Sequence, residues 1–162
     1  MKKIIFCLLV IVTLFGCTNV SKEFSENDFF DLKKEYFMEE SFNPNQDLMN
    51  SYINEISLMR SNSSDSLAKV LDFEIASAQS FLYFSKSLEE SKKINYFSKH
   101  CNTIEYKNTI LYLNLAIKYS EQANSIILLP NEIFLIRNNQ QETINEINIS
   151  SKEYLLSMRE TC

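Results

Sequence analysis

The sequence predicts an all-α fold, a compact bundle of about five helices with a C-terminal antiparallel helical hairpin that turns at Pro130. Two observations support this prediction. The 162 residues include one glycine, Gly16, and two prolines, Pro44 and Pro130, whereas tight β-hairpin turns depend on residues that tolerate positive φ, above all glycine. Apolar residues also recur at helical spacing along most of the chain. The scarcity of glycine further excludes glycine-rich phosphate loops and dinucleotide-binding motifs.

The first two helices are predicted from their starts and their apolar faces. A helix from about Ser25 to Glu40 opens with Ser25 and Asp28, a spacing close to that of a capping box. Asn43 as a cap and Pro44 in the first turn predict a second helix that continues to about Arg60. Its inward face is expected to contain Leu48, Tyr52, Ile56 and Met59.

The remaining helices are longer. The segment from about Asp65 to Lys93 is apolar on two sides, which is typical of a central helix. One stripe contains Leu67, Leu71, Ile75, Ala78, Leu82 and Leu88, and the other contains Phe73, Ala76, Ser80 and Phe84. A fourth helix follows Asn102 and ends near Leu129, and a fifth is predicted from about Glu132 to Thr161. Their buried faces are expected to contain Tyr106, Ile110, Leu113, Ala116, Ile117, Ala123 and Ile127, then Ile133, Ile136, Ile144, Ile147, Tyr154, Leu155 and Met158.

The N-terminus has the parts of a secretory signal. Lys2 and Lys3 precede an apolar run from Ile4 to Leu14, which is too short to span a membrane. The following Leu14-Phe15-Gly16-Cys17 resembles the lipobox of bacterial lipoproteins. That resemblance implies cleavage before Cys17, which then becomes the first residue and carries a diacylglyceryl group and further acylation such as palmitate. The alternatives are a plain signal peptide with an incidental cysteine, or an uncleaved anchor.

This interpretation divides the chain into three parts. Residues 1–16 form the lipoprotein signal peptide, residues 17–22 the lipidated tether, and residues 23–162 a single helical-bundle domain. Residues 18–22 span at most about 18 Å when fully extended, so the domain is expected close to the bilayer. Thr18 stands after the cysteine in place of an aspartate. By resemblance to bacterial lipoproteins, this favours the outer membrane, facing the periplasm, over the inner membrane or the cell surface.

The composition of the mature chain excludes several function classes. Without Lys2 and Lys3, 14 basic side chains stand against 21 acidic ones, a net charge of −7. Nucleic-acid binding depends on Lys and Arg that neutralise phosphate, so it is not expected. The single histidine, His100, lies beside Cys101 in a predicted connection and supplies too few ligands for zinc. No catalytic motif, cofactor site, metal site or small-molecule substrate site is recognised, and the chain is not expected to be an enzyme.

Two of the four cysteines are candidates for a disulfide. Cys7 is removed with the signal peptide and Cys17 is used by the lipid, which leaves Cys101 and Cys162 in an oxidising compartment. If the last two helices fold back on each other at Pro130, both thiols arrive at the same end of the hairpin. A structural disulfide is therefore expected. Free thiols, or a metal or redox role, are the alternatives.

Aromatic residues around the first helix give the most specific hypothesis about a binding surface. Phe24, Phe29, Phe30, Phe37 and Phe42 either pack onto the bundle or form an apolar groove for a partner peptide or lipid. The expected function is a lipid-anchored cell-envelope adaptor or accessory factor that binds a protein of unknown identity. The outline resembles pilotins of secretion or pilus systems, some of which are small helical lipoproteins with a disulfide. The alternatives are an exclusion or immunity lipoprotein that blocks a protein partner, and an envelope hydrolase.

Overall fold

The computed structural model describes residues 23–36, 45–96, 101–136 and 139–161. Within these ranges the chain forms six helices and no extended strand, which confirms the predicted all-α bundle. The helices are α1 (Glu26–Tyr36), α2 (Gln46–Arg60), α3 (Asp65–Ser91), α4 (Ile104–Ser125), α5 (Pro130–Ile133) and α6 (Gln140–Glu160). Helix α3 lies at the centre, because α2, α4, α5 and α6 all pack against it.

Local side-chain hydrogen bonds start α1 and α2. The Ser25 backbone amide donates to Asp28 Oδ2 at 2.9 Å, and the Asp28 amide donates back to Ser25 Oγ at 3.4 Å, so the pair acts as the predicted capping box. Helix α2 is capped by Asn45, whose Oδ1 accepts from the amides of Asp47 and Leu48. The predicted cap at Asn43 is wrong by two residues, and Asn43 itself lies outside the described residues.

The central position of α3 follows from its two apolar stripes. Nearly all of both stripes is buried or half-buried, and Leu88, near the helix end, is the exposed exception. Helix α2 buries Tyr52, Ile56 and Met59 as predicted, but Met49 replaces Leu48 in the core. The bundle core therefore forms largely from residues that the helical periodicity identifies.

Helices α4 and α6 form the predicted antiparallel pair. The Tyr106 hydroxyl donates to the Met158 carbonyl at 3.0 Å, and Asn148 Nδ2 donates to Ser120 Oγ at 2.7 Å. A residue early in α4 thus contacts one late in α6, while residues nearer the turn contact each other.

The connection between these two helices differs from the prediction. Helix α4 ends at Ser125 rather than near Leu129, and α6 begins at Gln140 rather than near Glu132. Proline disfavours helical backbone in the residue before it, and Leu129 is extended with φ −76° and ψ 160°. Pro130 instead opens the one-turn helix α5. The predicted buried positions Ile127 and Ile133 are consequently exposed on this connection.

Four helices meet at a buried carboxylate, that of Glu74 on α3. Tyr52 Oη on α2 donates to Glu74 Oε1 at 2.7 Å, and Gln140 Nε2 at the start of α6 donates to Glu74 Oε2 at 2.7 Å. Lys33 Nζ on α1 lies 3.6 Å from Glu74 Oε1 and donates to the Leu135 carbonyl at 3.0 Å. Burial of a carboxylate is tolerated when it is paired and hydrogen-bonded. We call Glu74, Lys33, Tyr52 and Gln140 the Glu74 cluster.

A second carboxylate fixes the connection between α4 and α6. Glu132 is 3% exposed; its Oε2 accepts from the Leu129 amide at 2.6 Å and lies 3.1 Å from Lys69 Nζ. The hydrogen bond from the Leu129 amide, assisted by Lys69, holds the pKa of Glu132 below its usual value although burial opposes this shift. Glu132 therefore ties the connection to the first turns of α3.

Removal of one donor from the Glu74 cluster tests its contribution to stability. Tyr52→Phe keeps the ring but removes the 2.7 Å hydrogen bond to the buried Glu74 Oε1, so we expect the free energy of unfolding to fall by about 1–3 kcal/mol. Urea unfolding followed by circular dichroism measures this change. The matched control is Tyr112→Phe, because the Tyr112 ring stacks near Tyr83 and its hydroxyl has no hydrogen bond within the described residues. Equal stabilities of the two variants would contradict the assigned contribution.

The low pKa of Glu132 predicts a dependence of stability on pH. A carboxyl group with a depressed pKa in the folded state stabilises the fold above its unfolded-state pKa, and this stabilisation is lost as the pH falls through the folded-state pKa. Unfolding free energies measured from about pH 6 to about pH 3 should therefore fall less steeply for Glu132→Gln than for the native chain. Glu121→Gln serves as the control, because Glu121 pairs with Lys152 at 2.8 Å on the surface. An unchanged slope for Glu132→Gln would refute the prediction.

Candidate functional site

A groove of about 520 Å³ lies between α1 and α2. Its apolar lining comes from Phe24, Leu32, Leu58 and Met59, and its acidic lining comes from Asp28, Asp31, Glu35 and Glu55. We call this feature the α1–α2 groove. The eight lining residues include four carboxylates and no basic side chain. An apolar floor beside negative charge suits a ligand that is itself both apolar and cationic.

Several groove carboxylates already have local partners. Asp28 caps α1, and Asp31 Oδ1 lies 3.1 Å from Lys34 Nζ in a pair exposed to solvent. Glu55 Oε1 accepts from the Tyr36 hydroxyl at 2.5 Å. This hydrogen bond, with burial and the nearby negative charge of Glu55, raises the pKa of Tyr36 to about 12. The Tyr36 hydroxyl is therefore a neutral hydrogen-bond donor that joins the end of α1 to Glu55 on α2.

The structure separates the aromatic residues that the sequence groups together. Phe24 is half-buried and lines the α1–α2 groove, and Phe30 is 37% exposed. Phe29 is fully buried in the core beneath Lys33, whose Nζ lies 4.8 Å from the ring centroid. Phe29 is therefore a core residue, which agrees with the packing alternative at this position and rules out the exposed-surface alternative. Phe37 and Phe42 lie outside the described residues.

The acidic lining is absent from the sequence-based predictions. A signal for it does exist, since Asp28, Asp31 and Glu35 recur three and four residues apart and so share one face of α1. Leu58 and Glu55 could not be assigned to the same groove from sequence, because their position depends on how α2 packs against α1.

A second surface feature is the connection between α4 and α6. Residues 126–136, which we call the apolar loop, expose several large apolar side chains: Ile127, Leu129, Ile133 and Phe134. Phe134 is 82% exposed, the highest value among the large apolar residues that the structure describes. The loop backbone is nevertheless held in place, because Glu132 contacts Lys69 and the Leu135 carbonyl accepts from Lys33.

The other predicted site residues are only partly described. Cys101 is half-buried just before α4, whereas Cys17, Cys162 and His100 lie outside the described residues. Across residues 23–36, 45–96, 101–136 and 139–161, no cluster of His, Cys, Asp and Glu is arranged to hold a metal ion. Over the same ranges, no helix has the length and apolar character needed to cross a membrane.

Comparison with known proteins found no matching family model, no similar curated protein and no similar solved structure. The α1–α2 groove and the apolar loop are therefore the features from which function is inferred.

Proposed function

We propose that this chain is a lipid-anchored cell-envelope protein that acts as a protein-binding adaptor or accessory factor, comparable in outline to a pilotin of a secretion or pilus system. It acts by binding rather than by catalysis. The observation that carries this proposal is the α1–α2 groove, whose apolar floor and acidic lining occupy one face of the bundle. Grooves between helices commonly receive an amphipathic helix from a partner.

The negative charge of the groove indicates which kind of ligand would complement it. Asp28, Asp31, Glu35 and Glu55 contribute negative charge, and Leu32, Leu58 and Met59 offer apolar contacts. A complementary ligand has apolar residues at helical spacing with Lys or Arg beside them, because complementary charge guides the encounter and fixes register. The proposed ligand is therefore a cationic amphipathic helix of a protein partner.

The proposed lipid anchor on Cys17 would determine where in the cell the protein acts. Acylation of Cys17 would hold the domain at the membrane, with the outer membrane facing the periplasm as the proposed location. Several acyl chains together give stable membrane attachment where one gives only marginal binding. Phe24 lines the groove only seven positions after Cys17. The groove would therefore stand close to the bilayer, where it can meet a segment of another envelope protein.

Site-specific crosslinking in cells tests the groove. A photo-crosslinking residue at Leu58, 67% exposed on α2, should capture one protein through a segment that mass spectrometry identifies as a cationic amphipathic helix. The same residue at Leu156, also an exposed leucine but on α6, is the matched control and should not capture it. Glu35→Lys should reduce capture about tenfold because it reverses one groove charge, whereas Glu153→Lys on α6 should not. Equal capture from Leu58 and Leu156 would reject the groove as the binding site.

We also propose that Cys101 and Cys162 form a structural disulfide. The contact between Tyr106 and Met158 supports this proposal. Cys101 lies five residues before Tyr106, and Cys162 lies four residues after Met158. Because α4 and α6 run antiparallel, the start of α4 and the end of α6 meet at one end of the pair, which would bring the two thiols together. A bond between them closes a loop of about 60 residues and is worth roughly 4 kcal/mol in the chain-entropy model.

Reduction of the purified chain tests the disulfide. Reductant should increase the mass by two hydrogen atoms and lower the free energy of unfolding by up to roughly 4 kcal/mol, because the unfolded chain gains conformational freedom. Cys101→Ser is the control variant, and reductant should leave its stability unchanged. Two free thiols in the native chain before any reduction would exclude the proposed bond.

A further inference from the structure

The apolar loop exposes four large apolar side chains within eight consecutive residues, 127 to 134. Ile127 is 79% exposed and Phe134 82%, and Leu129 and Ile133 between them are each about half exposed. Single exposed apolar side chains are ordinary on proteins, whereas several of them in one short segment are a candidate interaction surface. Residues 126–136 contain one charged residue, Glu132, which is buried and paired with Lys69. The exposed side chains of the loop are therefore uncharged, and all of them except Asn131 are apolar.

The apolar loop lies at the end of the bundle where the N-terminal segment enters. The Phe24 amide donates to the Asn62 carbonyl at 3.1 Å, just before α3 begins. The first turns of α3 contact the loop, since Ser66 Oγ lies 3.4 Å from Glu132 Oε1 and Lys69 Nζ 3.1 Å from Oε2. Phe24, at the N-terminal end of the described chain, and the apolar loop therefore both lie near the start of α3.

The short segment between Cys17 and Glu23 limits the distance between the apolar loop and the lipid on Cys17. Residues 18–22 separate Cys17 from Glu23 and span at most about 18 Å. With the lipid of Cys17 in the bilayer, this end of the domain cannot move far from the membrane surface. The tether keeps the local concentration of lipid high, so even weak apolar contacts with the bilayer are populated.

We propose that the apolar loop inserts into the lipid leaflet beside the anchor, with Ile127 and Phe134 at its deepest points. This inference rests on the proposed acylation of Cys17. The occupant is a lipid surface, because the exposed part of the loop offers no charge for recognition of a polar partner. The mature chain carries a net charge of −7, so zwitterionic lipid is the favoured surface and anionic lipid is disfavoured.

The sequence makes a direct measurement possible, since it contains no tryptophan. Phe134→Trp and Leu156→Trp each introduce a single fluorescent reporter at an exposed apolar position. Leu156 lies near the opposite end of the bundle, because the nearby Met158 contacts Tyr106 at the start of α4. The full chain, purified in its membrane-processed form, is reconstituted into phosphatidylcholine vesicles with and without brominated acyl chains.

Bromine should quench the fluorescence of Phe134→Trp at least about twofold more than that of Leu156→Trp, since bromine acts only on groups within the acyl region. Ile127→Asp combined with Phe134→Trp should reduce the quenching, because a charge would have to enter the leaflet. Circular dichroism establishes that each variant keeps its helix content. Equal quenching of the two reporters would overturn the inference, as would a Phe134→Trp signal that changes only when another protein is added.

Mass spectrometry of the same samples distinguishes a failure of the inserted-loop proposal from a failure of the proposed acylation. An acylated Cys17 with no selective quenching at position 134 would overturn the inserted loop and leave the proposed adaptor intact. A chain that carries no lipid on Cys17 would remove the anchor from the proposed function, and the inserted loop would be overturned with it. Acylation together with selective quenching supports both.

Discussion

The buried carboxylate of Glu74 is the interaction on which the arrangement of the helices depends. It sits on the central helix and is contacted by Lys33, Tyr52 and Gln140, which come from three other helices. A buried charge that loses a partner is costly, so each of these helices must dock in one register to satisfy it. The Glu74 cluster therefore adds a directional constraint to the apolar packing of Phe29 and Leu32 on α1.

Lys33 connects the Glu74 cluster to both candidate surfaces, the α1–α2 groove and the apolar loop. Its ammonium lies close to Glu74 and donates to the Leu135 carbonyl in the apolar loop. The opposite face of α1 presents Asp31 and Glu35 to the α1–α2 groove. The helix that supplies much of the groove and the loop that exposes Phe134 are therefore held by the same side chain. Disruption of the cluster would alter the two surfaces together.

The sequence predicted those parts of the structure that depend on local or periodic information. Helical spacing identified most of the core, and the spacing of Ser25 and Asp28 identified the cap of α1. The apolar loop was mistaken for helix because Ile127 and Ile133 continue the spacing of a buried face, although α4 ends at Ser125 and Pro130 opens the short helix α5. Glu74 gave no signal of burial, because its partners lie far away in sequence and only tertiary packing brings them together. The α1–α2 groove was missed in part for the same reason.

The apolar loop and the α1–α2 groove differ in charge, and each therefore suits a different environment. The apolar loop has its one charge, Glu132, neutralised by Lys69 and turned away from solvent, so the loop can approach hydrocarbon without carrying an unpaired charge. The α1–α2 groove keeps its carboxylates accessible and would be unsuited to the same environment. Phe24 links the two, since it lines the groove and lies at the end of the bundle that carries the loop. An inserted loop would therefore leave the groove beside the membrane surface, where it would meet the proposed ligand, a cationic amphipathic helix of a membrane partner.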